Sequence, residues 1–280
     1  MSMRLRTLDR PAEIRGIGLH TGHPATLRLL PSDRPGWTFR RVDVPTPFEF
    51  EADVSRVQHT SWSTSLSGTH GLLHCCEHVL AALHAMQVHA VIVEVDADEI
   101  PICDGSALPF VQMIEQAGTR VLDAACCHYR VSRECWVSDV DKHIFAFPCE
   151  RFRVTSAVDY SHPLAPAQLF SLEVTPESFA GGMAAARTFA LVEWIDSLQK
   201  AGLIKGGSLD NALVIFSYHY SSELRFPDEM ARHKALDLIG DLALLGKPVI
   251  GHFIAVKASH ALHVELVRKM MSGDYLTLES

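Results

Sequence analysis

Residues 226–246 read FPDEMARHKALDLIGDLALLG. Pro227 suits a first helical turn, acidic residues follow it, and Gly246 suits the C-terminal cap, so the segment is predicted to be a helix. On that helix His233 and Asp237 are four apart and share one face, with Asp241 one step further along. Directly after it, VIGHFIAV (249–256) reads as a closing buried strand.

Working outward, HIFAFP (143–148), FRVTSAVDY (152–160), LFSLEVT (169–175) and ALVIF (212–216) read as further strands. The first half offers TLRLLP (26–31), WTFRRVDV (37–44) and AVIVEVDA (90–97), the last an apolar run suited to a buried position. Between the latter two lies CCEHVLAALHAM (75–86), with helix-forming residues and neither Gly nor Pro. Pro109–Ala117 suggests a second helix, opened by the turn signals of IPICDGSALP. The pattern lapses around Cys126–Tyr129, which places a domain boundary between residues 1–126 and 127–280. Strands and helices mixed in this way predict an α+β fold. No sequence repeat is visible, so any duplication is architectural.

Composition narrows the class. The chain has 280 residues, 48% hydrophobic and 21% charged, which argues against disorder and against a fibre. Its formal net charge is -8 with no dense Lys/Arg block, so nucleic acid is not an expected partner. The seven cysteines are odd in number, include two adjacent pairs and form no C-x-x-C. That is neither a secreted disulfide framework nor a Cys-type zinc site, and it points to the cytoplasm. The start, MSMRLRTLDRPAEIRG, lacks an apolar core, so no signal peptide is expected. No apolar stretch reaches the ~18 residues of a transmembrane helix.

Three places could carry chemistry. His233 and Asp237 can chelate one Zn²⁺ from a single helix face; a solvated polar stripe is the alternative reading. Glu77-His78 sits in an otherwise apolar helix, where a buried carboxylate needs a partner. It reads as a third ligand, His78, beside a base, Glu77, or as a helix start whose acid faces solvent. His260, just after the last apolar strand, is placed for acid or base work, although fifteen other histidines compete for that role. The glycines of GIGLHTG (16–22) lack a dinucleotide spacing. Gly206–Ser208 could offer backbone N–H groups to a phosphate or form a plain turn. Leu191, Trp194, Ile195 and Leu198 make an apolar i, i+3, i+4, i+7 stripe, which normally faces a core.

In order, GIGLHTG (16–22), CCEHVLAAL (75–83), IPICDGSALPF (100–110), ARTFAL (186–191), GGSLDNALV (206–214), RHKALDLIGDL (232–242) and KASHALH (257–263) resemble successive motifs of the UDP-3-O-acyl-N-acetylglucosamine deacetylases, zinc enzymes of lipid A synthesis. The resemblance runs from about Arg6 to Leu262. It implies zinc ligands at His78, His233 and Asp237, a general base at Glu77 and a protonated histidine at His260. Asp241 matches the carboxylate that orients that histidine, and Thr188 the hydroxyl that meets the developing oxyanion. Lys234, with Lys142 and Lys257, corresponds to cations near the acyl sugar and diphosphate. The implied cofactor is Zn²⁺, with Fe²⁺ an alternative in the cell.

The implied fold is two similar sheet-plus-helix domains packed as a β-α-α-β sandwich, with the active site between them. The implied ligand is a UDP-linked acylated amino sugar, bound by a monomer. A βαβ insert at about 190–212 would line a hydrophobic passage for the acyl chain. Phe189, Leu191, Trp194, Ile195, Leu198, Gly207 and Ser208 fall around that passage. Departures from the family pattern cluster there as well: Ala190 and Leu191 replace Gly and an aromatic residue, and Trp194 replaces an acid. Cys75-Cys76 stands where Thr-Val is typical, and His263 where Asn is typical. Three readings follow: the lipid A pathway enzyme, a paralogue acting on another N-acyl sugar, and a zinc-bearing scaffold without turnover. The last fits least, because Glu77 and His260 add nothing to a structural zinc site.

Overall fold

In the computed structural model, which describes residues 3–280, the apolar run Ala90–Val95 is the central strand of a five-stranded sheet. It pairs antiparallel with Pro24–Pro31 and parallel with Gly36–Arg41. Ala12–Ile17 and Phe48–Glu51 form the two edges. The second half builds its own seven-stranded sheet around Val249–Val256. That strand runs antiparallel to Lys142–Phe147, and parallel to His128–Val131 and Phe152–Val158. VIGHFIAV is therefore the hub of its sheet and not its last element, since a helix and the strand Leu276–Glu279 follow it. Alternating burial along it lets one face meet the core while both edges are paired.

Among the described residues, six helices complete the α+β fold: α1 (Glu77–Ala85), α2 (Leu108–Ala117), α3 (Pro176–Gly182), α4 (Val192–Lys200), α5 (Glu229–Leu242) and α6 (His260–Ser272). α5 begins after Asp228, so Pro227 lies just ahead of it and not in its first turn. Gly246 closes the following 3₁₀ turn with φ 74, the left-handed cap its lack of a Cβ permits. Every residue of α1 is buried, and α5 exposes little beyond Arg232 and Lys234. The two helices cross at Gly240, where an added Cβ would stand 2.1 Å from the carbonyl oxygen of Glu77. Only glycine allows that approach, and it brings the start of α1 against the last turn of α5.

One continuous buried cluster, including Phe39, Leu80, Leu236 and Phe253, links the two halves. Phe189–Leu191, α4 and Leu213–Ile215 form a βαβ unit whose two short strands are parallel, slightly wider at both ends than 190–212. All seven cysteines are free. Among the described residues, no helix is long and apolar enough to cross a membrane.

Candidate active site

The crossing of α1 and α5 sets three donors against one another. His78 comes from the first turn of α1, and His233 and Asp237 from one face of α5. Their ligand atoms lie within 4.8 Å of one another, and all three side chains are buried. Asp237 Oδ1 is 3.4 Å from His233 Nε2 and 3.6 Å from His78 Nε2. His233 Nδ1 faces the carbonyl of Ala186 at 3.1 Å, which turns Nε2 toward the cluster. Burial pushes the His233 imidazole down to about 3, so it stays neutral with a lone pair to give. Burial also works against the Asp237 carboxylate, but the Lys234 ammonium beside it holds it well below the usual range. Lys234 Nζ donates to Asp237 Oδ2 at 2.7 Å.

Asp237 Oδ1 is buried and has no hydrogen-bond partner. A charged oxygen in that position costs several kcal/mol unless something outside the chain completes it. Two imidazoles and one carboxylate converging on one point fit a divalent metal ion, with a further position open to the cavity they line.

Glu77 is buried beside this cluster, not facing solvent at the helix start, and its Oε2 accepts from the amide of Thr64 at 3.0 Å. Burial lifts its carboxyl above the ordinary value, against the pull of His260 and His78. His260 is the first residue of α6, four residues beyond the strand end where sequence had placed it. Its Nδ1 donates to Asp241 Oδ2 at 2.7 Å. Burial opposes the imidazolium, but the charge of Asp241 and this hydrogen bond outweigh it and raise His260 to about 9. Asp241 is also met by His263 at 2.8 Å and by the Thr64 hydroxyl at 2.5 Å. Burial opposes its charge as well, yet His260 leads these partners in pushing it down to about 2.

Thr188 lines the same cavity, as does Lys234. The Thr188 amide donates to Gly105 O at 2.7 Å. Gly105 takes φ 83, and a Cβ there would meet Asn211 O at 2.2 Å, so this packing requires glycine. Arg187, which sequence left without a role, forms a buried pair with Glu229 at 2.8 Å and ties ARTFAL to the start of α5. Thr64 was also missed; nothing in HTSWSTS (59–65) is periodic enough to single it out.

Next to the polar cavity lies an apolar one of about 290 Å³. Its walls include Leu19, Phe189, Ile195, Leu198, Ile204 and Val214, with Gly207 and Ser208 at one side. The stripe on α4 therefore splits. Ile195 and Leu198 face the cavity, while Leu191 is 4% exposed within the core. Trp194 packs against Trp62 and Tyr160, with ring centroids 5.7 and 5.8 Å apart, and forms no part of the wall. Lys142 and Lys257 are not brought to either cavity. Lys142 is exposed at a hairpin, and Lys257 pairs with Asp141 at 3.2 Å and with Asp159 at 3.5 Å.

Two imidazoles and a carboxylate able to hold a divalent metal, with a buried carboxyl and a charged histidine beside them, are the groups that metal-dependent hydrolysis uses. Comparison with known proteins agrees. The family described as UDP-3-O-acyl N-acetylglycosamine deacetylase matches residues 5–272. A UDP-3-O-acyl-N-acetylglucosamine deacetylase of Anaeromyxobacter dehalogenans (strain 2CP-C) is 43% identical over 97% of this chain and 88% of its own length. That of Anaeromyxobacter sp. (strain Fw109-5) is 45% identical over 95% and 88%, and that of Mannheimia succiniciproducens 38% over 99% and 94%. The chain belongs to the UDP-3-O-acyl N-acetylglycosamine deacetylase family.

Proposed function

We propose that this protein removes the N-acetyl group of UDP-3-O-acyl-N-acetylglucosamine, giving acetate and a free amine for lipid A synthesis. The observation that carries this reading is the convergence of His78, His233 and the unsatisfied Asp237 Oδ1 beside an apolar cavity. The donor set suits Zn²⁺, and Fe²⁺ accepts the same ligands. When bound there, the cation supplies Lewis-acid polarisation of the amide carbonyl and makes the attacking water more acidic.

Glu77 takes the proton from that water as its oxygen adds to the carbonyl carbon. The hydroxyl of Thr188 donates to the oxyanion that develops, an effect worth about 3–4 kcal/mol in comparable sites. His260, charged and held by Asp241, gives its proton to the sugar nitrogen as the C–N bond breaks. Lys234 anchors Asp237 and places a cation at the cavity wall. Ile195, Leu198 and Phe189 receive the acyl chain. The seven free cysteines support a cytoplasmic enzyme.

The test is mass-spectrometric turnover of the purified protein on UDP-3-O-acyl-N-acetylglucosamine beside simpler N-acetyl sugars. Acetate release from the acylated nucleotide sugar alone is expected. Equal release from N-acetyl sugars without an acyl chain would overturn the substrate assignment.

A further inference from the structure

Among the described residues, four buried side-chain polar atoms have no hydrogen-bond partner. One is Asp237 Oδ1. Two others are both ring nitrogens of His20, a residue only 9% exposed. A buried polar atom left without a partner is costly to the fold, so such atoms are rare. Burial also lowers the proton affinity of this imidazole, so it is neutral and one nitrogen holds a free lone pair.

His20 has company. A ring nitrogen of His20, Cys75 Sγ and a carboxylate oxygen of Glu99 lie within 4.8 Å of one another. Glu99 is fully buried, and Cys75 Sγ is 3.0 Å from its Oε1. The amides of His20 and Thr21 and the hydroxyl of Thr21 hold the carboxylate in place, at 2.9, 2.8 and 2.7 Å. The thiol and the carboxylate satisfy each other; the imidazole between them and the cavity satisfies nothing.

We propose that His20, Cys75 and Glu99 form a second metal site, distinct from His78, His233 and Asp237, that takes a thiophilic divalent cation such as Zn²⁺, Cd²⁺ or Co²⁺. Imidazole, thiolate and carboxylate are the donors these ions take, and the thiolate discriminates against Mg²⁺ and Ca²⁺. The charges balance: binding releases the Cys75 proton, and thiolate plus carboxylate neutralise the cation. That neutrality matters where burial penalises any uncompensated charge. One lone pair of Glu99 Oε1, now used by the thiol, becomes available to the metal when that proton leaves. Three protein ligands leave a position facing the cavity that His20 and Cys75 line together with Glu77 and His78, so the ion enters by the same opening.

Cobalt separates the two sites. The His78–His233–Asp237 cluster holds no sulfur, so of the two sites only the one with Cys75 gives a near-ultraviolet thiolate-to-cobalt charge-transfer band. Titration of metal-stripped full-length protein with Co²⁺ is expected to bind two equivalents per chain and to develop that band. Cys75→Ser is expected to abolish the band and reduce binding to one equivalent, and His20→Ala to weaken the sulfur-linked equivalent at least tenfold. His233→Ala is expected to keep the band while losing the other equivalent, so failure of the catalytic assignment reads out separately. Cys126→Ser removes another buried thiol, 3.4 Å from His89 Nδ1, and is expected to change nothing. Absence of the band at excess Co²⁺, or its survival in Cys75→Ser, would overturn the proposal. Circular dichroism and the remaining cobalt equivalent confirm that each variant is folded.

Discussion

Replacing Gly240 with alanine adds one methyl group where α5 crosses α1. Two effects of opposite sign follow. Alanine favours a helix interior over glycine by about 1 kcal/mol, so propensity alone predicts stabilisation. The methyl, however, would sit 2.1 Å from the Glu77 carbonyl oxygen, 2.8 Å from its carbonyl carbon and 2.9 Å from its Cα. Carbon atoms attract at about 3.5–4.0 Å, so the helices must part by about 1 Å. The obstacle is backbone, which cannot swing aside as a side-chain tip could. Overpacking of this kind costs about 1–3 kcal/mol, which exceeds the propensity gain. The movement also draws Glu77 and His78 away from His233 and Asp237, and a 1 Å misplacement can cost about 10²-fold in rate. Thermal unfolding, bound-metal content and kcat/KM at 25 °C check the chain of reasoning. The melting temperature should fall by a few degrees, at about 2–4 °C per kcal/mol, and kcat/KM should drop far more than the folded fraction. A variant with a raised melting temperature and unchanged kcat/KM would refute the backbone contact as the determinant of site geometry.

Glu77→Gln keeps the side-chain shape and cannot take a proton; it should retain bound metal and lose about 10²–10⁴-fold in kcat. A near-normal rate would remove Glu77 from its role. His260, raised to about 9, is charged at neutral pH, so activity that depends on its proton is present below that value and lost above it. The added charge of a bound cation moves this limb downward, and His260→Gln should flatten it in a pH–rate profile. The same pair sets a stability window. Asp241, pushed down to about 2, contributes above the ordinary carboxylate value and loses that contribution as pH falls toward 2. His260 contributes below its ordinary value and loses that contribution as pH rises through about 9. Unfolding measured against pH on metal-free protein should show that plateau for the wild type and a shallower one for Asp241→Asn. Each CH₂ of an acyl chain buried against Ile195 and Leu198 should add up to about 0.8 kcal/mol, near fourfold in affinity, until the cavity is full. Ile195→Trp should shorten the preferred chain, and Trp194→Ala, off the cavity wall, should move that preference less; a flat length profile would make the cavity irrelevant to substrate choice.

How much of this was legible in the sequence depended on whether a feature is local. The α5 helix, its Gly246 stop and the shared face of His233 and Asp237 follow from a 3.6-residue period and capping chemistry, which act over a few residues. Glu77-His78 was visible as polarity inside an apolar helix. Thr64 was not, because its contacts with Glu77, Asp241 and His260 span 13, 177 and 196 residues of chain. The stripe on α4 had the right period, yet which of its members meet a cavity is settled by Trp62 and Tyr160, which lie elsewhere in sequence. Lys142 and Lys257 show the converse. A lysine carries no local signal of direction, and neither lines the polar or the apolar cavity. The start of α6 carries a weak local signal, because Ser259 stands at its N-cap without a side-chain cap hydrogen bond and no acid follows in the first turn.

The α5 helix buries a polar stripe alongside its apolar residues and leaves only Arg232 and Lys234 partly exposed. Glu229, His233, Asp237 and Asp241 recur every fourth residue and are all buried. A four-residue step exceeds the 3.6-residue turn, so the stripe winds gradually around the helix, and each member meets a different neighbour. Glu229 takes Arg187; His233 takes the carbonyl of Ala186; Asp241 takes His260, His263 and Thr64. Each of these partners belongs to the chain and removes most of the cost of burial. Asp237 takes Lys234 on one oxygen and leaves the other facing Nε2 of His78 at 3.6 Å and Nε2 of His233 at 3.4 Å. A stripe satisfied at three positions and open at the fourth is not a core that failed to pack, because the same residues supply neutral His233 and an orphaned carboxylate oxygen at one point. On the proposed function that open valence is completed by a metal ion, so removing the ion should loosen the α1–α5 crossing as well as stop catalysis. Faster amide exchange in the first turn of α1 in metal-stripped protein than in metal-loaded protein is the expected sign, and equal exchange would show that the crossing stands without it.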